Sequence, residues 1–400
     1  MPMNLSNRAR NTSPSATLAM AAISKQMKAE GIDVVDFGLG EPDFETPAHI
    51  KDAAIAAIRE GFTRYTAAAG IDELKQAIIT KLKRDNGLSY SPAEVIVSCG
   101  SKHSLFNIAE VLFESGDEVI VPAPYWVTYT EQIRLVDAQP VIVQTREEDG
   151  FHVTREALES AITPRTKAIL LNSPCNPTGA MIEPEQLRAI AALVVERDLL
   201  VISDEAYESL TYDGHIHMSI ASLDEEVRRR TIVVNTVSKA YAMTGWRIGY
   251  AAGPAEIIKA MGTIQGQVTS NPTSISQKAA VAALLGPHDD LRAMVVEFER
   301  RRRYLLSRLS AIPGIRCTNP EGAFYLFPNV SSFYGATANG RPVRNSAEMA
   351  AYLLQTAHVV SVPGSEFGSD AHLRLSYATS MGQISAGAER IARALGALRR

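Results

Sequence analysis

The sequence has 400 residues, of which 46% are hydrophobic and 21% are charged, and its formal net charge is −4 at pH 7. This length allows two domains, and the slight negative charge offers no general attraction to nucleic acid or to an acidic membrane surface. Cys99, Cys175 and Cys317 lack the spacing of a zinc site or a disulfide framework. Since no apolar run resembles a membrane span or a signal peptide, we expect a cytoplasmic protein without a metal.

From about residue 50 to residue 285, short apolar runs rich in β-branched residues alternate with longer helical stretches. Continuous apolar runs are typical of strands buried on both faces, and their alternation with helices is typical of an α/β fold. We therefore predict one large, mostly parallel sheet flanked by helices. The predicted strands lie at 94–100, 117–124, 167–174, 199–206 and 231–238, and the helices between them include 102–114, 125–136 and 184–196.

The pattern changes after about residue 286. A long charged helix is predicted over 289–312, before Pro313 and Gly314, and short strands and two helices follow it. We expect a smaller α+β domain in this part of the chain. The expected organisation is an N-terminal segment that belongs to the small domain, a large α/β domain and a C-terminal small domain, over residues 1–45, 46–288 and 289–400.

Polar residues follow four of the predicted strands at the point where each strand ends. Parallel sheets bind ligands beyond the carboxyl ends of their strands, so these side chains are expected to meet at one site. The residues at these strand ends are Gly100, Ser101, Lys102, Asn172, Asn176, Asp204, Tyr207, Ser238 and Lys239.

The stretch VSKAYAMTGWRIGY, residues 237–250, places Lys239 among apolar neighbours. Loss of water favours the neutral amine, which is a nucleophile toward carbonyl carbon. For an isolated lysine, a surface turn whose ammonium reaches water is the simple alternative. Beside the other strand-end residues, Lys239 becomes a candidate Schiff-base lysine, and pyridoxal 5′-phosphate is the aldehyde cofactor of amino-acid chemistry.

That cofactor needs a carboxylate beside its pyridine nitrogen, donors for its phosphate and a flat neighbour for its ring. Asp204 in SDEAY can supply the carboxylate, or can simply cap the following turn. The strand–glycine–helix sequence SCGSKHS predicts an anion site at a helix start, to which Ser238 and Arg247 can add donors. Trp126 can stack on the ring, or can belong to the core.

Two further residues carry polar groups that fit the same chemistry. Asn176 in NSPCNPTGA lies among turn signals typical of a structural loop, although its amide can also donate to the phenolic oxygen of the cofactor. Arg374 in HLRLSYA alternates with apolar residues on a predicted strand. Its guanidinium can hold a substrate carboxylate with two parallel hydrogen bonds.

Together, these motifs resemble the class I aminotransferases of fold type I, and most of all their bacterial aspartate aminotransferase subgroup. The resemblance runs from about Ser13 to the C-terminus and rests on PSATLAM, GLGEPDF, RYTAAAGIDELKQAI, NSPCNPTGA, SDEAY, SKAYAMTGWRIGY and RLSYA, in this order. It implies a homodimer that uses pyridoxal 5′-phosphate. It also implies a ping-pong transfer of the amino group between aspartate or glutamate and oxaloacetate or 2-oxoglutarate.

The resemblance also implies a role for each matching residue. The expected catalytic residues are Lys239 as Schiff-base lysine and proton shuttle, Asp204 at the pyridinium, and Tyr207, which with Asn176 holds the phenolic oxygen. The remaining cofactor-binding residues are Ser101, the backbone amide of Lys102, Ser238 and Arg247 at the phosphate, Trp126 on the ring, and Tyr65 from the neighbouring subunit. The substrate-binding residues are Gly40, Trp126, Asn176 and Arg374, with Lys102, Ser15 and Thr17 near the distal carboxylate.

The substrate range stays open at this point. In the animal and enteric subgroup, an arginine binds the distal carboxylate of the substrate, and no arginine of this sequence lies in a matching sequence context. Lys102 lies at the position where the bacterial subgroup uses a lysine for this role. A broader-specificity aminotransferase, acting on prephenate or aromatic acids, is therefore the alternative. A β-lyase or decarboxylase on the same fold is a further one, because a fold does not fix its reaction.

Overall fold

We describe the protein from a computed structural model, which covers residues 5–13, 16–338 and 341–399. Across these ranges, no helix combines the length and the apolar character needed to cross a membrane. The α-helices are α1 (Asn7–Asn11), α2 (Ala16–Ala29), α3 (Ala48–Arg59), α4 (Asp72–Asn86), α5 (Ser101–Leu112), α6 (Thr128–Leu135), α7 (Arg155–Glu159), α8 (Pro184–Glu196), α9 (Glu225–Arg228), α10 (Ala255–Val268), α11 (Ser274–Leu285), α12 (Asp289–Ser310), α13 (Ser346–Ala357) and α14 (Met381–Gly396).

The strands fall into one large sheet and several small ones. They are β1 (Val35–Asp36), β2 (Val95–Ser98), β3 (Glu118–Ala123), β4 (Gln139–Gln144), β5 (Thr166–Asn172), β6 (Leu200–Asp204), β7 (Thr231–Thr236), β8 (Gly249–Ala252), β9 (Tyr325–Leu326), β10 (Thr337–Ala338), β11 (Arg341–Pro342), β12 (Val359–Val360), β13 (Val362–Pro363) and β14 (Leu373–Ser376).

Seven strands form the central sheet in the order β2-β8-β7-β6-β5-β3-β4. The pairs from β7 to β4 are parallel, whereas β8 is antiparallel to both of its neighbours, β2 and β7. This confirms the prediction of a large, mostly parallel sheet flanked by helices. All five predicted strands are present, and the sequence analysis missed β4 and β8.

The sheet is buried on both faces, which explains its continuous apolar runs. In β7, Val233 packs with residues of α4 and α11 on one face, while its neighbours Ile232 and Val234 pack with α5 and α10 on the other. Successive side chains of a strand point to opposite faces, so a strand covered on both sides favours apolar residues at consecutive positions, such as Ile232, Val233 and Val234.

The C-terminal part of the chain builds a second, smaller packing unit. Helix α12 begins at Asp289, as predicted, and ends at Ser310, two residues before the predicted end. Strands β13, β14 and β9 form an antiparallel sheet, and β1 pairs in parallel with β12. Phe37, which follows β1, is fully buried in the core that α12 and α14 share. The start of the chain thus packs with its end, while the domain boundaries remain a prediction.

Candidate active site

A cavity of about 380 Å³ lies at the carboxyl ends of the parallel strands. It gathers most of the residues that the sequence analysis selected, from places far apart in the chain. Its lining includes Gly40, Ser101, Lys102, Trp126, Asn176, Asp204, Tyr207, Ser238, Lys239, Arg247 and Arg374. Four selected residues are not among the residues that line it: Gly100 lies directly before the lining residue Ser101, Tyr65 is 89% exposed, Ser15 lies outside the described residues, and nothing is described of the Thr17 side chain.

Lys239 lies three residues after β7, inside the cavity. Its Nζ atom donates a hydrogen bond of 2.6 Å to the backbone carbonyl of Gly40. Among the described residues, no carboxylate oxygen lies within 4.0 Å of this nitrogen. Burial, together with the positive charges of Arg374 and Arg247, lowers the pKa of Lys239 to about 8. A sizeable fraction of this amine is therefore neutral near physiological pH.

Asp204 is the last residue of β6, and its side chain is held from two directions. The Tyr129 hydroxyl donates to Oδ2 over 2.8 Å, and the Ala206 amide donates to Oδ1 over 3.1 Å. Burial raises the pKa of Asp204 to about 6, while both hydrogen bonds oppose that rise. At pH 7 and above, the group is mostly a carboxylate, oriented by two donors.

An anion cradle is formed by the first turn of α5 and the loop before β8. Gly100 has φ 85° immediately before α5, so the amides at the start of the helix face the cavity. A Cβ atom on Gly100 would come within 2.2 Å of the Arg247 guanidinium, and one on Gly249 would come within 2.1 Å of the Ser101 nitrogen. Only glycine, which has no Cβ atom, allows this close approach at the two positions.

Hydrogen bonds fix the remaining donors of the cradle. Arg247 has φ 56°, and its guanidinium donates to the backbone carbonyls of Thr244 (2.9 Å) and Cys99 (3.2 Å). The Ser238 hydroxyl shares a hydrogen bond of 2.8 Å with the Thr236 hydroxyl, which in turn donates to the Ile248 carbonyl over 2.9 Å.

Arg374 is a nearly fully buried cation at the opposite side of the cavity. It is 1% exposed, and it donates to the Asn176 side-chain carbonyl (3.1 Å) and to the backbone carbonyl of Gly38 (2.7 Å). Its Nε atom has no hydrogen-bond partner among the described residues. The guanidinium lies 4.7 Å from the ring centre of Tyr325 and 5.0 Å from that of Phe367. A buried guanidinium with an unused donor is suited to an anionic ligand.

Lys102 and Trp126 form the wall between the anion cradle and Asp204. The Lys102 ammonium lies 4.9 Å from the centre of the Trp126 ring, whose edge contacts Tyr129 at a centroid distance of 5.5 Å. Burial lowers the pKa of Lys102, and the charge of Arg247 adds to this effect. No carboxylate in the described part of the chain forms an ion pair with Lys102.

Lining residues that the sequence analysis did not select include Tyr129, Tyr325 and Glu41. Tyr325 shares a hydroxyl–hydroxyl hydrogen bond of 2.8 Å with Tyr207, and Glu41 accepts one of 2.8 Å from Thr244. Tyr129 comes three positions after Trp126, and this helical spacing is a signal that the two side chains share one face. Glu41 lies within the quoted segment GLGEPDF and Tyr325 lies outside every quoted segment, and nothing local distinguishes their roles.

Known proteins are similar to this chain over almost all of its length. A sequence model of the family described as aminotransferase class I and II matches residues 32–391. The chain belongs to this family. An aspartate aminotransferase of Geobacillus stearothermophilus is 50% identical over 391 residues, which is 98% of each chain. An aspartate/prephenate aminotransferase of Nitrosomonas europaea is 46% identical over 393 residues, covering 98% of this chain and 99% of the relative.

Solved structures give the same result for the fold. The crystal structure of the aspartate aminotransferase of Rhizobium meliloti superposes with a TM-score of 0.95, at 44% identity, over 99% of this chain and 100% of that one. The aspartate aminotransferase of Thermus thermophilus with maleate gives a TM-score of 0.91, at 43% identity, over 98% and 100% of the chains. The class of enzyme expected from the motifs is confirmed.

Proposed function

We propose that this aminotransferase acts on aspartate and glutamate and on their oxo acids, with pyridoxal 5′-phosphate as cofactor. One observation carries the proposal: a single cavity combines an amine, a carboxylate and a buried cation. The amine is that of Lys239, which pairs with no carboxylate among the described residues; the carboxylate is Asp204, oriented by two donors, and the cation is Arg374. Amine, carboxylate and guanidinium are the groups that a carbonyl cofactor and an amino acid together require.

The residues of the cavity fit the cofactor. The cradle at Gly100 and Gly249 has no room for a Cβ atom, which is the form expected where backbone amides approach a phosphate. Ser101, Ser238, Arg247 and the backbone amide of Lys102 would hold that phosphate. Asp204 would hold the ring nitrogen, Trp126 would stack on the ring, and Asn176 with Tyr207 would hold the phenolic oxygen.

When bound, the cofactor supplies an electron sink for the bond that breaks at the substrate Cα atom. The residues do the rest. Lys239, with its lowered pKa, can take a proton from the substrate Cα and deliver it to the C4′ carbon of the cofactor, because its amine is easily interconverted between neutral and charged forms. Asp204 and Arg374, both buried, fix the orientation of the two partners and keep water out of contact with their charges.

Two cations suit a substrate with two carboxylates. We assign the α-carboxylate to Arg374, with Asn176 and Gly40 beside it, and the distal carboxylate to Lys102, which has no carboxylate partner among the described residues. Ser15 and Thr17 are proposed to assist Lys102. The presence of maleate, a dicarboxylate, in the Thermus thermophilus structure supports this assignment.

A broader substrate range is the second candidate, and the match to the Nitrosomonas europaea aspartate/prephenate aminotransferase favours it. Lysine is a flexible point charge, so Lys102 should select less sharply than a forked arginine. Assays should pair a panel of amino donors with 2-oxoglutarate, and a panel of oxo acids, prephenate included, with glutamate. We expect the highest kcat/KM for aspartate. A higher value for aromatic or aliphatic amino acids would overturn the aspartate assignment.

We further propose that the working unit is a homodimer in which Tyr65 binds the phosphate in the partner's site. Tyr65 is 89% exposed on the isolated chain, so its side chain is accessible to a neighbouring subunit. Tyr65→Phe should weaken cofactor binding by about tenfold or more in an equilibrium titration. A fully active monomer in analytical ultracentrifugation would contradict the shared site.

We also propose a cytoplasmic location. Its support is that Cys99, Cys175 and Cys317 are all free thiols, as is usual in a reducing compartment.

A further inference from the structure

Tyr129 is a buried residue whose hydroxyl contacts Asp204. It is 2% exposed, Asp204 is 3% exposed, and its hydroxyl donates directly to the carboxylate over 2.8 Å. A hydroxyl that donates to an ionised acceptor forms a stronger hydrogen bond than one between neutral groups. In this dry environment, the bond therefore stabilises the ionised form of Asp204 over the protonated form.

The other groups around Asp204 do not replace this bond. The negative charge of Glu205, which is paired with His217 at 3.2 Å, disfavours the ionised form of Asp204, whereas the positive charge of Lys239 favours it. Cys175 and Tyr207 face Tyr129, and burial raises the pKa of both, so they stay neutral. The remaining donor to the carboxylate is the Ala206 amide.

Tyr129 also contacts Trp126, the residue proposed to stack on the cofactor ring. Its ring meets the Trp126 ring at 90°, with centroids 5.5 Å apart. Phenylalanine at this position keeps the edge contact and removes only the hydroxyl, so a substitution can separate the two roles.

We propose that Tyr129 is a positioning residue that acts through Asp204: its hydroxyl keeps Asp204 ionised, so that the shared proton stays on the ring nitrogen of the bound cofactor. The inference rests on the proposed function. A carboxylate and a ring nitrogen that share one proton compete for it, and the more basic group holds it. Without the Tyr129 bond the carboxylate becomes more basic, and the proton moves from the nitrogen to Asp204. A ring without that proton is a poorer electron acceptor.

The test is the ¹⁵N NMR shift of the ring nitrogen in the holoenzyme, prepared with ¹⁵N-labelled pyridoxal 5′-phosphate between pH 6 and pH 8. We expect a protonated nitrogen in the wild type and a shift toward the unprotonated form in Tyr129→Phe. The kcat should fall about ten- to a hundredfold while KM stays within about twofold. Tyr212→Phe is the matched control, because Tyr212 is also 2% exposed and its hydroxyl donates to a backbone carbonyl, that of Ala323. Its ¹⁵N shift should equal that of the wild type.

A double-mutant cycle distinguishes this role from packing. In an Asp204→Asn background there is no carboxylate to take the proton, so adding Tyr129→Phe should change neither the shift nor kcat. An unmoved shift in Tyr129→Phe, or an equal loss of kcat in both backgrounds, would overturn the inference alone. Failure of the wild type to bind the labelled cofactor would overturn the proposed function and the inference with it.

Discussion

The cavity around Lys239 and the cluster around Lys81 both hold a lysine away from bulk water. Lys81, on α4, is 3% exposed, and its ammonium contacts the Glu208 carboxylate, which also accepts from Asn86 and Asn235 at 2.6 Å each. Lys239 donates to one backbone carbonyl, that of Gly40.

The contrast shows what separates a structural lysine from a reactive one. A carboxylate at contact distance offsets the lost hydration of an ammonium and holds its proton in place. A backbone carbonyl offsets less, so the amine gives up its proton more readily and becomes available to an electrophile. Lys81 has a carboxylate partner and Lys239 has none among the described residues, and this difference distinguishes the two lysines.

The largest expected effect is on activity when the reactive lysine is removed. Lys239→Ala should lower kcat by about 10⁴-fold or more, because the amine and the proton carrier are lost together. Borohydride reduction after incubation with pyridoxal 5′-phosphate should label Lys239 in the wild type, as read by peptide mass spectrometry. Label on another lysine instead would exclude Lys239 as the reactive amine. The free energy of unfolding at pH 6 should not fall in the cofactor-free variant, because a poorly paired buried charge is removed.

The structural lysine should respond in the opposite way. Lys81→Met leaves the buried Glu208 carboxylate without its cation, and the free energy of unfolding should drop by about 3–5 kcal/mol in urea denaturation. The double variant Lys81→Met/Glu208→Gln, which removes both charges, should recover part of that loss. If the single variant were as stable as the wild type, the distinction between the two lysines would fail.

Lys102 is a third lysine without a carboxylate partner in the described part of the chain, and we expect the substrate to provide one. Lys102→Ala should reduce kcat/KM for aspartate by a factor that corresponds to the loss of about 2–4 kcal/mol of transition-state binding. An apolar amino donor, assayed in parallel as the control, should lose much less. Equal losses for both donors would show that Lys102 serves the phosphate or the structure instead.

The smallest effect is a pH dependence. The pKa of Lys239 is lowered to about 8, so the neutral fraction of its amine grows as the pH rises through that value. Acetylation of Lys239 in the cofactor-free protein should therefore increase from pH 6 to pH 9 with a midpoint near 8, measured by competitive labelling against N-acetyl-lysine amide. A midpoint equal to that of N-acetyl-lysine amide would mean that burial does not lower the pKa of the Lys239 amine.

Much of the fold and site could be predicted because their signals are local. Apolar runs marked β2, β3, β5, β6 and β7, and the polar residues that end them line one cavity as expected. Strand β8 was missed because its four residues, Gly249–Ala252, adjoin the Lys239 motif and read as its continuation. The first turn of α6 also starts later than predicted, at Thr128, after the loop that contains Trp126.

The contacts that tune the site have no local signature. The hydrogen bond from Tyr129 to Asp204 joins residues 75 positions apart, and the one from Arg374 to the Gly38 carbonyl joins residues 336 apart. Such pairs arise only after the sheet and the smaller unit have packed. The role of Tyr65 requires a second subunit, so neither the sequence pattern nor one chain determines it.

The pairing of β1 with β12 has a consequence for biosynthesis. Gly38 and Gly40 follow β1, yet they meet Arg374 and Lys239 only when the last tenth of the chain is available for packing. During translation, the strands of the central sheet leave the ribosome well before this closure, because chains fold from the N-terminus as they emerge. Folding of the central sheet can therefore place Lys239 and Gly100 before Arg374, the arginine proposed for the substrate, has been synthesised.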